Sequence, residues 1–250
     1  MKNLKTTFIL ITYALFLTSL SYGQQTYFIN QDNVKPSKAT EYEKVVKEFQ
    51  AASVENNVQT SWMSAMRNDF TYYYIVPIEN MAEMDKRPFS DMKEAMGDKW
   101  EDMFNRMDKS CSSYGSYFMH SVDELSYKAP EGTDMSDLNY RKWFLMYYTP
   151  KNADKVKEGM KAVRDMFESK GSKEYYNVYQ SGIGNMESHY LVSVPAIDEL
   201  DSAKRAKENQ EVLGPDRYET FNKVLNYISR MEEYSGMMRP DLSYAPKKVE

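Results

Sequence analysis

Residues 72–78 read Tyr-Tyr-Tyr-Ile-Val-Pro-Ile, and residues 190–196 read Tyr-Leu-Val-Ser-Val-Pro-Ala. Both segments are rich in aromatic and β-branched residues, which favour strands, and both carry a proline near the end. The two segments lie 118 positions apart, and Leu125-Ser126-Tyr127 recurs as Leu242-Ser243-Tyr244 at a spacing of 117. The shared order and the nearly constant spacing predict an internal duplication.

Each predicted copy contains the same series of elements. Strands predicted at Thr26–Asn30 and Lys142–Tyr148 are each followed by a helix whose apolar residues recur every three or four positions. Two strands, a second helix and a last strand complete each copy, which gives the order β-α-β-β-α-β of a ferredoxin-like plait. We therefore predict an α+β fold in which two tandem ferredoxin-like βαββαβ repeats form a single-chain pseudo-dimeric α/β barrel with two facing sheets.

The N-terminus has the features of a signal peptide. Lys2 and Lys5 precede an apolar run, and the small residues Ser21 and Gly23 follow it. A membrane helix is the alternative, but the run is shorter than the roughly 20 apolar residues that a span needs. We expect an exported protein, periplasmic or extracellular, with no membrane span after cleavage. The predicted segments are a signal peptide at 1–23, a first repeat at 24–127, a polar linker at 128–139 and a second repeat at 140–250.

The composition of the 250-residue chain excludes several classes of function. The 32 Lys and Arg residues face 37 Asp and Glu residues, and the resulting net charge of -5 gives no electrostatic footprint for a nucleic-acid backbone. The single Cys cannot form an intrachain disulfide, and one Cys with two His leaves little material for a metal site. We predict no nucleic-acid partner, no metal site, and a monomer or a weak homo-oligomer.

A second signal is a family resemblance in residues 74–85, Tyr-Ile-Val-Pro-Ile-Glu-Asn-Met-Ala-Glu-Met-Asp. This segment resembles the third strand and following helix of dimeric α/β-barrel proteins, which include the NIPSNAP-like and antibiotic-biosynthesis-monooxygenase-like groups. The resemblance covers both predicted repeats and implies a barrel that often encloses a small hydrophobic cavity. It also implies two activities, cofactor-free oxygenation and the binding or degradation of haem. No catalytic motif of those enzymes matches this chain residue by residue.

Aromatic side chains are the compositional anomaly, with 21 Tyr and three Trp in the chain. Strand alternation places Tyr72 and Tyr74 on one face and Tyr73 on the other. Such rings either line a ligand cavity, where phenol hydroxyls hold a polar group, or fill a barrel that aliphatic residues would leave empty. The candidate ligand-binding residues, on strands expected to line the space between the sheets, are Trp62, Tyr72, Tyr74, Tyr176, Tyr179 and Tyr190.

The two histidines are the candidate catalytic residues. His189 precedes a predicted strand at the position where the first copy has Thr71, and His120 stands where the second copy has Met237. Either histidine could serve as a general base or as an axial haem ligand, and either could instead be a hydrogen-bonded structural residue. We therefore expect no cofactor, with haem as the one exception that the resemblance leaves open.

Three functions follow from these features. We favour an exported protein that binds a small apolar or aromatic molecule in an aromatic-lined cavity between two ferredoxin-like sheets. The alternatives are a cofactor-free oxygenase or haem-handling enzyme, and a structural or interaction module of the cell envelope. The scarcity of His and Cys favours binding over catalysis, and the sequence leaves open whether the protein is an enzyme.

Overall fold

The computed structural model describes residues 24–246, and the predicted signal peptide lies outside this range. Within that range the chain forms eight strands and six α-helices. The strands are β1 (Thr26–Val34), β2 (Met63–Arg67), β3 (Thr71–Ile78), β4 (Cys111–Ser121), β5 (Tyr140–Tyr147), β6 (Asn177–Ser181), β7 (His189–Ala196) and β8 (Arg230–Met238). The helices are α1 (Ala39–Glu55), α2 (Ser90–Met96), α3 (Asp98–Ser110), α4 (Ala153–Ser169), α5 (Glu199–Leu213) and α6 (Arg217–Leu225).

The eight strands form one closed antiparallel barrel in the order β1-β3-β2-β8-β5-β7-β6-β4. Two pairings join the first half of the chain to the second. Strand β2 pairs with β8, where Ala65 faces Met238, and β4 pairs with β6, where Met119 faces Ser181. Each strand is therefore hydrogen-bonded on both sides, and the barrel has no free edge.

The predicted fold class is wrong. Two tandem ferredoxin-like repeats would give two separate sheets that face each other and four helices, whereas the strands form a single closed barrel with six helices. The physical reason is the pairing of β2 with β8 and of β4 with β6, because strands with unpaired backbone groups bond to one another instead of leaving open edges. The additional helices arise where a glycine with positive φ, Gly97 at +53° and Gly214 at +72°, ends one helix shortly before the next begins.

The helices lie outside the barrel. Tyr72 of β3 packs against Tyr42 of α1 with ring centroids 4.8 Å apart, so the even-numbered residues of β3 face the helices. The alternation predicted for Tyr72, Tyr73 and Tyr74 is thus confirmed, and Tyr73 points into the barrel. Residues that lie opposite each other on paired strands share a face of the sheet. Followed from Tyr73 through the strand pairs, this rule places Trp143, Tyr179 and other residues of the same face inside the barrel.

The hydrophobic core is divided between the two sides of the barrel. A large cluster packs α4 and α6 against β6 and β7, and its centre includes Val156, Val178 and Leu213. Two smaller clusters lie under α1 and α3 on the other side. Residues 128–139, the predicted linker, contain turns and neither helix nor strand, while the domain boundaries themselves stay predictions. In the part of the chain from 24 to 246, no helix is both long and apolar enough to cross a bilayer.

Candidate functional site

Side chains fill the interior of the barrel. Glu232 accepts hydrogen bonds from Tyr147 at 3.0 Å and from Tyr234 at 2.9 Å, and the Arg67 guanidinium stacks on the Tyr234 ring at 3.2 Å from its centroid. At the other end, Tyr27 contacts Tyr179 edge to face. The interior of an eight-stranded barrel is either filled by side chains or holds one small ligand, and the side chains named here occupy this one.

A cavity of about 570 Å³ lies outside the barrel, between β1 and β3 on one side and α1 and α3 on the other. The segment 79–89, which contains a short 3-10 helix at Met81–Asp85, forms another part of its wall. The lining is predominantly apolar, as small-molecule sites usually are, and eight of its 21 residues are aromatic. The aromatic residues are Phe28, Tyr42, Phe49, Trp62, Tyr74, Phe89, Trp100 and Phe104.

A chain of three polar side chains reaches the cavity wall. The Tyr42 hydroxyl donates to Oδ2 of Asp32 at 2.5 Å, and the Tyr42 and Tyr74 hydroxyl oxygens are 2.8 Å apart. Because an ionised carboxylate only accepts, the single Tyr42 proton points to Asp32 and Tyr74 donates to Tyr42. The Tyr74 oxygen can then accept a proton from a ligand. The three groups form a relay that ends at Asp32.

Burial controls the protonation of this relay. It raises the pKa of Asp32 above its ordinary value, while the hydrogen bond from Tyr42 acts in the opposite direction. Burial also raises the pKa values of Tyr42 and Tyr74, so both phenols stay protonated at neutral pH. A carboxylate whose pKa is raised toward neutrality is better suited to take a proton from an organic substrate than an ordinary surface aspartate.

The C-terminal segment holds one wall of the cavity. The Trp62 ring lies 4.8 Å from the Tyr244 ring, and its Nε1 donates to the Leu242 carbonyl at 2.9 Å. The Tyr244 hydroxyl lies 3.1 Å from the carbonyl oxygen of Ser53 and 3.0 Å from that of Val58. A segment that follows the last strand therefore fixes a ring that lines a cavity built by the first half of the chain.

The structure brings two of the six predicted ligand-binding residues together. Trp62 and Tyr74 both line the cavity. Tyr72 also lies on the helix-facing side of β3, but it points away from the cavity and donates to Oε1 of Glu43 at 2.8 Å. Glu43 in turn pairs with Arg239 at 2.5 Å.

The other three predicted residues lie elsewhere. Tyr176 and Tyr190 belong to the hydrophobic core under α4, where Tyr190 stacks on Tyr148 at 5.1 Å. Tyr179 points into the barrel and contacts Tyr27. None of the three lines the cavity between β1, β3, α1 and α3.

Neither histidine lines the cavity. His189 is buried in the barrel against the Tyr147 ring, and burial lowers its pKa. His120 lies on the outer face of β4, where its Nδ1 is 3.0 Å from the Thr26 hydroxyl. The two side chains are thus held by structural contacts, and the structure does not bring them together with Trp62 and Tyr74.

The residues of the cavity do not fit a histidine-ligated haem. Its lining contains neither His nor Cys, and the phenols of Tyr42 and Tyr74 are engaged with each other and with Asp32. In the described range, no group of three His, Cys, Asp or Glu side chains is placed to hold a metal ion. The lining therefore offers haem iron no histidine or cysteine ligand.

Sequence reasoning missed both Asp32 and Tyr42 as site residues. One signal was present. Asn30 and Asp32 alternate with Ile29 and Gln31 on a strand, so two polar residues share the face that carries Phe28 and Val34. Polar residues on a face covered by helices need partners, and such positions are candidates for a site.

Comparison with known proteins finds no family model and no curated protein that matches the chain. Solved structures do match it. The chain is similar to an anthrone oxidase-like protein, with a TM-score of 0.55 at 11% identity over 91% of this chain and 95% of that one. It is similar to a putative monooxygenase from Lactobacillus acidophilus, with a TM-score of 0.52 at 12% identity over 86% and 94%. A chlorite dismutase from Candidatus Nitrospira defluvii gives a TM-score of 0.52 at 10% identity over 88% and 93%.

At these identities the likeness concerns the fold. The chain shares its fold with these monooxygenase-like and chlorite dismutase structures. The likeness does not single out the NIPSNAP-like group or any other family. The chemistry has to be argued from the cavity itself.

Proposed function

We propose that this protein is a cofactor-independent oxygenase that oxidises a small aromatic substrate in the cavity between β1, β3, α1 and α3. The observation that carries this proposal is the Asp32–Tyr42–Tyr74 relay at the wall of an aromatic cavity. The likeness to an anthrone oxidase-like protein and to a putative monooxygenase supports the same class of reaction.

The residues have defined roles in this proposal. The aromatic walls bind the flat rings of the substrate and exclude water. Asp32 acts as the general base and takes the proton of an acidic C–H or phenolic O–H group, directly or through Tyr74 and Tyr42. The anion that results is electron-rich and reacts with dioxygen. For a CH₂ group between two rings, one oxygen atom enters the product as a ketone and the other leaves as water.

Oxygen consumption by the purified protein with anthrone tests this proposal. We expect uptake above the rate without protein, formation of anthraquinone, and one ¹⁸O atom from ¹⁸O₂ in the new ketone. Asp32→Asn should lower kcat by about a hundredfold or more, because general-base catalysis contributes roughly 10²–10⁴-fold. Asp137→Asn is the matched control, since Asp137 is an exposed residue of the linker. Asp32→Asn with wild-type turnover would contradict the assignment of the base.

A second candidate function is ligand binding without turnover. The aromatic lining favours it, because eight rings around one cavity provide apolar contact area without any reactive group. The two functions separate in one experiment. Saturable binding of anthrone or simple phenols without oxygen uptake would support the binding protein and exclude the oxygenase for those substrates.

We also propose that the protein is exported. The basic and apolar pattern of residues 1–23 supports this location. N-terminal sequencing of protein recovered from the periplasm or medium of a bacterial host should begin at Gln24. Protein that stays in the cytoplasm with its N-terminal segment intact would contradict export.

A further inference from the structure

The cavity has one uncompensated charge. Three charged side chains line it, namely Asp32, Glu83 and Lys86. Lys86 Nζ lies 3.4 Å from Oε1 of Glu83, so these two residues form an ion pair at the wall made by segment 79–89. Within residues 24–246, no lysine or arginine forms a salt bridge with Asp32. The lining therefore has an excess negative charge, and it is located at Asp32.

One oxygen of this carboxylate is free to meet a ligand. Oδ2 accepts the hydrogen bond from Tyr42, while Oδ1 has no donor among the described residues. Oδ1 is not sealed in the protein, because the one fully buried side-chain polar atom without a partner in this range is Nε of Arg67. A carboxylate that is mostly buried and carries a free lone-pair site is stabilised when a cationic donor binds to it.

The rings of the cavity favour the same kind of ligand. The negative face of an aromatic ring attracts a cation, and Trp gives the strongest interaction. In the described part of the chain, the arginines and lysines that stack on rings use Tyr234, Phe144, Tyr218 and Tyr147, all outside the cavity. The faces of Trp62, Trp100 and the other cavity rings are thus not covered by a cation of the protein.

We propose that the cavity selects an aromatic molecule that carries a protonated amine, with the ammonium group on Oδ1 of Asp32 and the ring against the aromatic walls. This inference rests on the proposed function in that it places the substrate in the same cavity, and it adds the charge of the ligand. The proton relay ends at Oδ2 of Asp32, so the two interactions use different oxygen atoms. A neutral phenol gains the apolar contacts alone, and Asp32 repels a phenol that carries a carboxylate.

Three phenols of similar size and different charge test the inference by calorimetric titration at pH 7. They are tyramine, a cation; 4-ethylphenol, which is neutral; and 4-hydroxyphenylacetate, an anion. We expect tyramine to bind at least tenfold more tightly than 4-ethylphenol, a difference of about 1.4 kcal/mol, and 4-hydroxyphenylacetate to bind most weakly. Asp32→Asn should lower the affinity for tyramine about tenfold and change that for 4-ethylphenol less than twofold.

Two further variants separate charge from other effects. Tyr42→Phe keeps the carboxylate and removes its hydrogen bond, so the preference for tyramine should persist. Asp137→Asn removes an exposed carboxylate that does not line the cavity, and the ratio of affinities should stay within twofold of the wild-type ratio. If Asp32→Asn does not fold, the wild-type ratio and the Tyr42→Phe ratio decide the question.

Equal affinities of the wild type for the three phenols would overturn the inference, and so would no binding of tyramine. A tyramine preference that survives Asp32→Asn would overturn it as well. These outcomes are independent of oxygen uptake with anthrone. The oxygenase proposal can therefore hold while the charge preference fails, and a tyramine-selective protein without oxygen uptake would show the reverse.

Discussion

Gly236 provides a direct test of how the barrel closes. It lies on β8 and faces Arg67 of β2 and Arg141 of β5. A Cβ atom at this position would lie 2.0 Å from the Met66 carbonyl oxygen, 2.7 Å from Cζ3 of Trp143 and 2.8 Å from the Arg67 Cα. The backbone fixes the position of a Cβ atom, so Gly236→Ala cannot avoid these contacts by a change of rotamer.

The size of the effect follows from these distances. Real Cβ atoms essentially never approach closer than 3.0 Å, so β2 and β8 would have to separate by about 1 Å. The pairing of β2 with β8 consists of three residue pairs, from Ala65 with Met238 to Arg67 with Gly236, and backbone hydrogen bonds from Asn68 to Ser235 and from Arg239 to Ser64 flank it. Overpacking costs about 1–3 kcal/mol and each weakened backbone hydrogen bond about 1 kcal/mol. We expect a loss of about 3 kcal/mol, or a fall in Tm of roughly 6–12 °C for a chain of this length.

Gly115→Ala is the matched control. Gly115 is also a strand glycine, and a Cβ atom built on it meets nothing within 4 Å. That substitution should be neutral or should stabilise by about 0.4–1 kcal/mol, because it restricts the unfolded chain. Urea unfolding followed by tryptophan fluorescence and thermal unfolding followed by circular dichroism measure both variants. If Gly236→Ala unfolds at the same urea concentration as Gly115→Ala, then β2 does not approach β8 this closely and the closure described above is incorrect.

Three other substitutions or measurements probe the surroundings of the cavity. Tyr244→Phe removes a hydroxyl that lies within hydrogen-bonding distance of two backbone carbonyls, and urea unfolding should show a loss of about 1–2 kcal/mol; an unchanged midpoint would mean that this contact adds no stability. Hydrogen bonds from Arg239 lower the pKa of Glu43 and hold that of Asp241 at about 2. Both pKa values are lower in the folded than in the unfolded chain, so the stabilisation is complete above about pH 5 and is lost as the pH falls toward 2. Arg239→Met should therefore make the free energy of unfolding less dependent on pH, as measured by unfolding curves between pH 2 and pH 6. Burial raises the pKa of the Cys111 thiol to about 12, so iodoacetamide at pH 8 should label the folded protein at least a hundredfold more slowly than the urea-unfolded protein, as measured by mass spectrometry; equal rates would contradict that burial.

The sequence predicted local structure better than long-range pairing. Alternation in Tyr72-Tyr73-Tyr74 placed Tyr73 on the opposite face from its two neighbours, because the side-chain period of a strand is a local property. It did not identify which face meets the helices, and the structure places Tyr72 on that side. The barrel closure could not be predicted in the same way. A residue such as Ala65 has the same pattern whether its strand ends a separate sheet or pairs with β8, so the partner is decided by tertiary contacts.

The candidate site was predicted in part, and different physical reasons explain which residues were found and which were missed. Trp62 and Tyr74 stood out because aromatic residues on strands are visible in the sequence. Asp32 and Tyr42 were missed because their hydrogen bond depends on how α1 docks over β1. His189 was a candidate because it stands where the first copy has Thr71, but a difference between the copies does not show where a side chain points, and this one lies inside the barrel against Tyr147.

The spacing of the helices explains why the described cavity lies on one side of the barrel. On the side of α4 and α6, a Cβ atom on Gly159 would lie 2.4 Å from the Lys223 carbonyl oxygen, so the two helices approach to backbone contact there. The core beneath them is correspondingly filled, with twelve buried residues in one cluster. On the other side, Arg106 of α3 bridges to Glu41 and Glu48 of α1 at 2.9 and 2.6 Å, and such long side chains hold two helices further apart than a glycine does. The space that remains beneath α1 and α3 is bordered by two smaller buried clusters and is large enough for a ligand. The cavity thus results from the difference between the two helix interfaces, where α4 and α6 meet at a glycine and an ion-pair bridge joins α1 to α3.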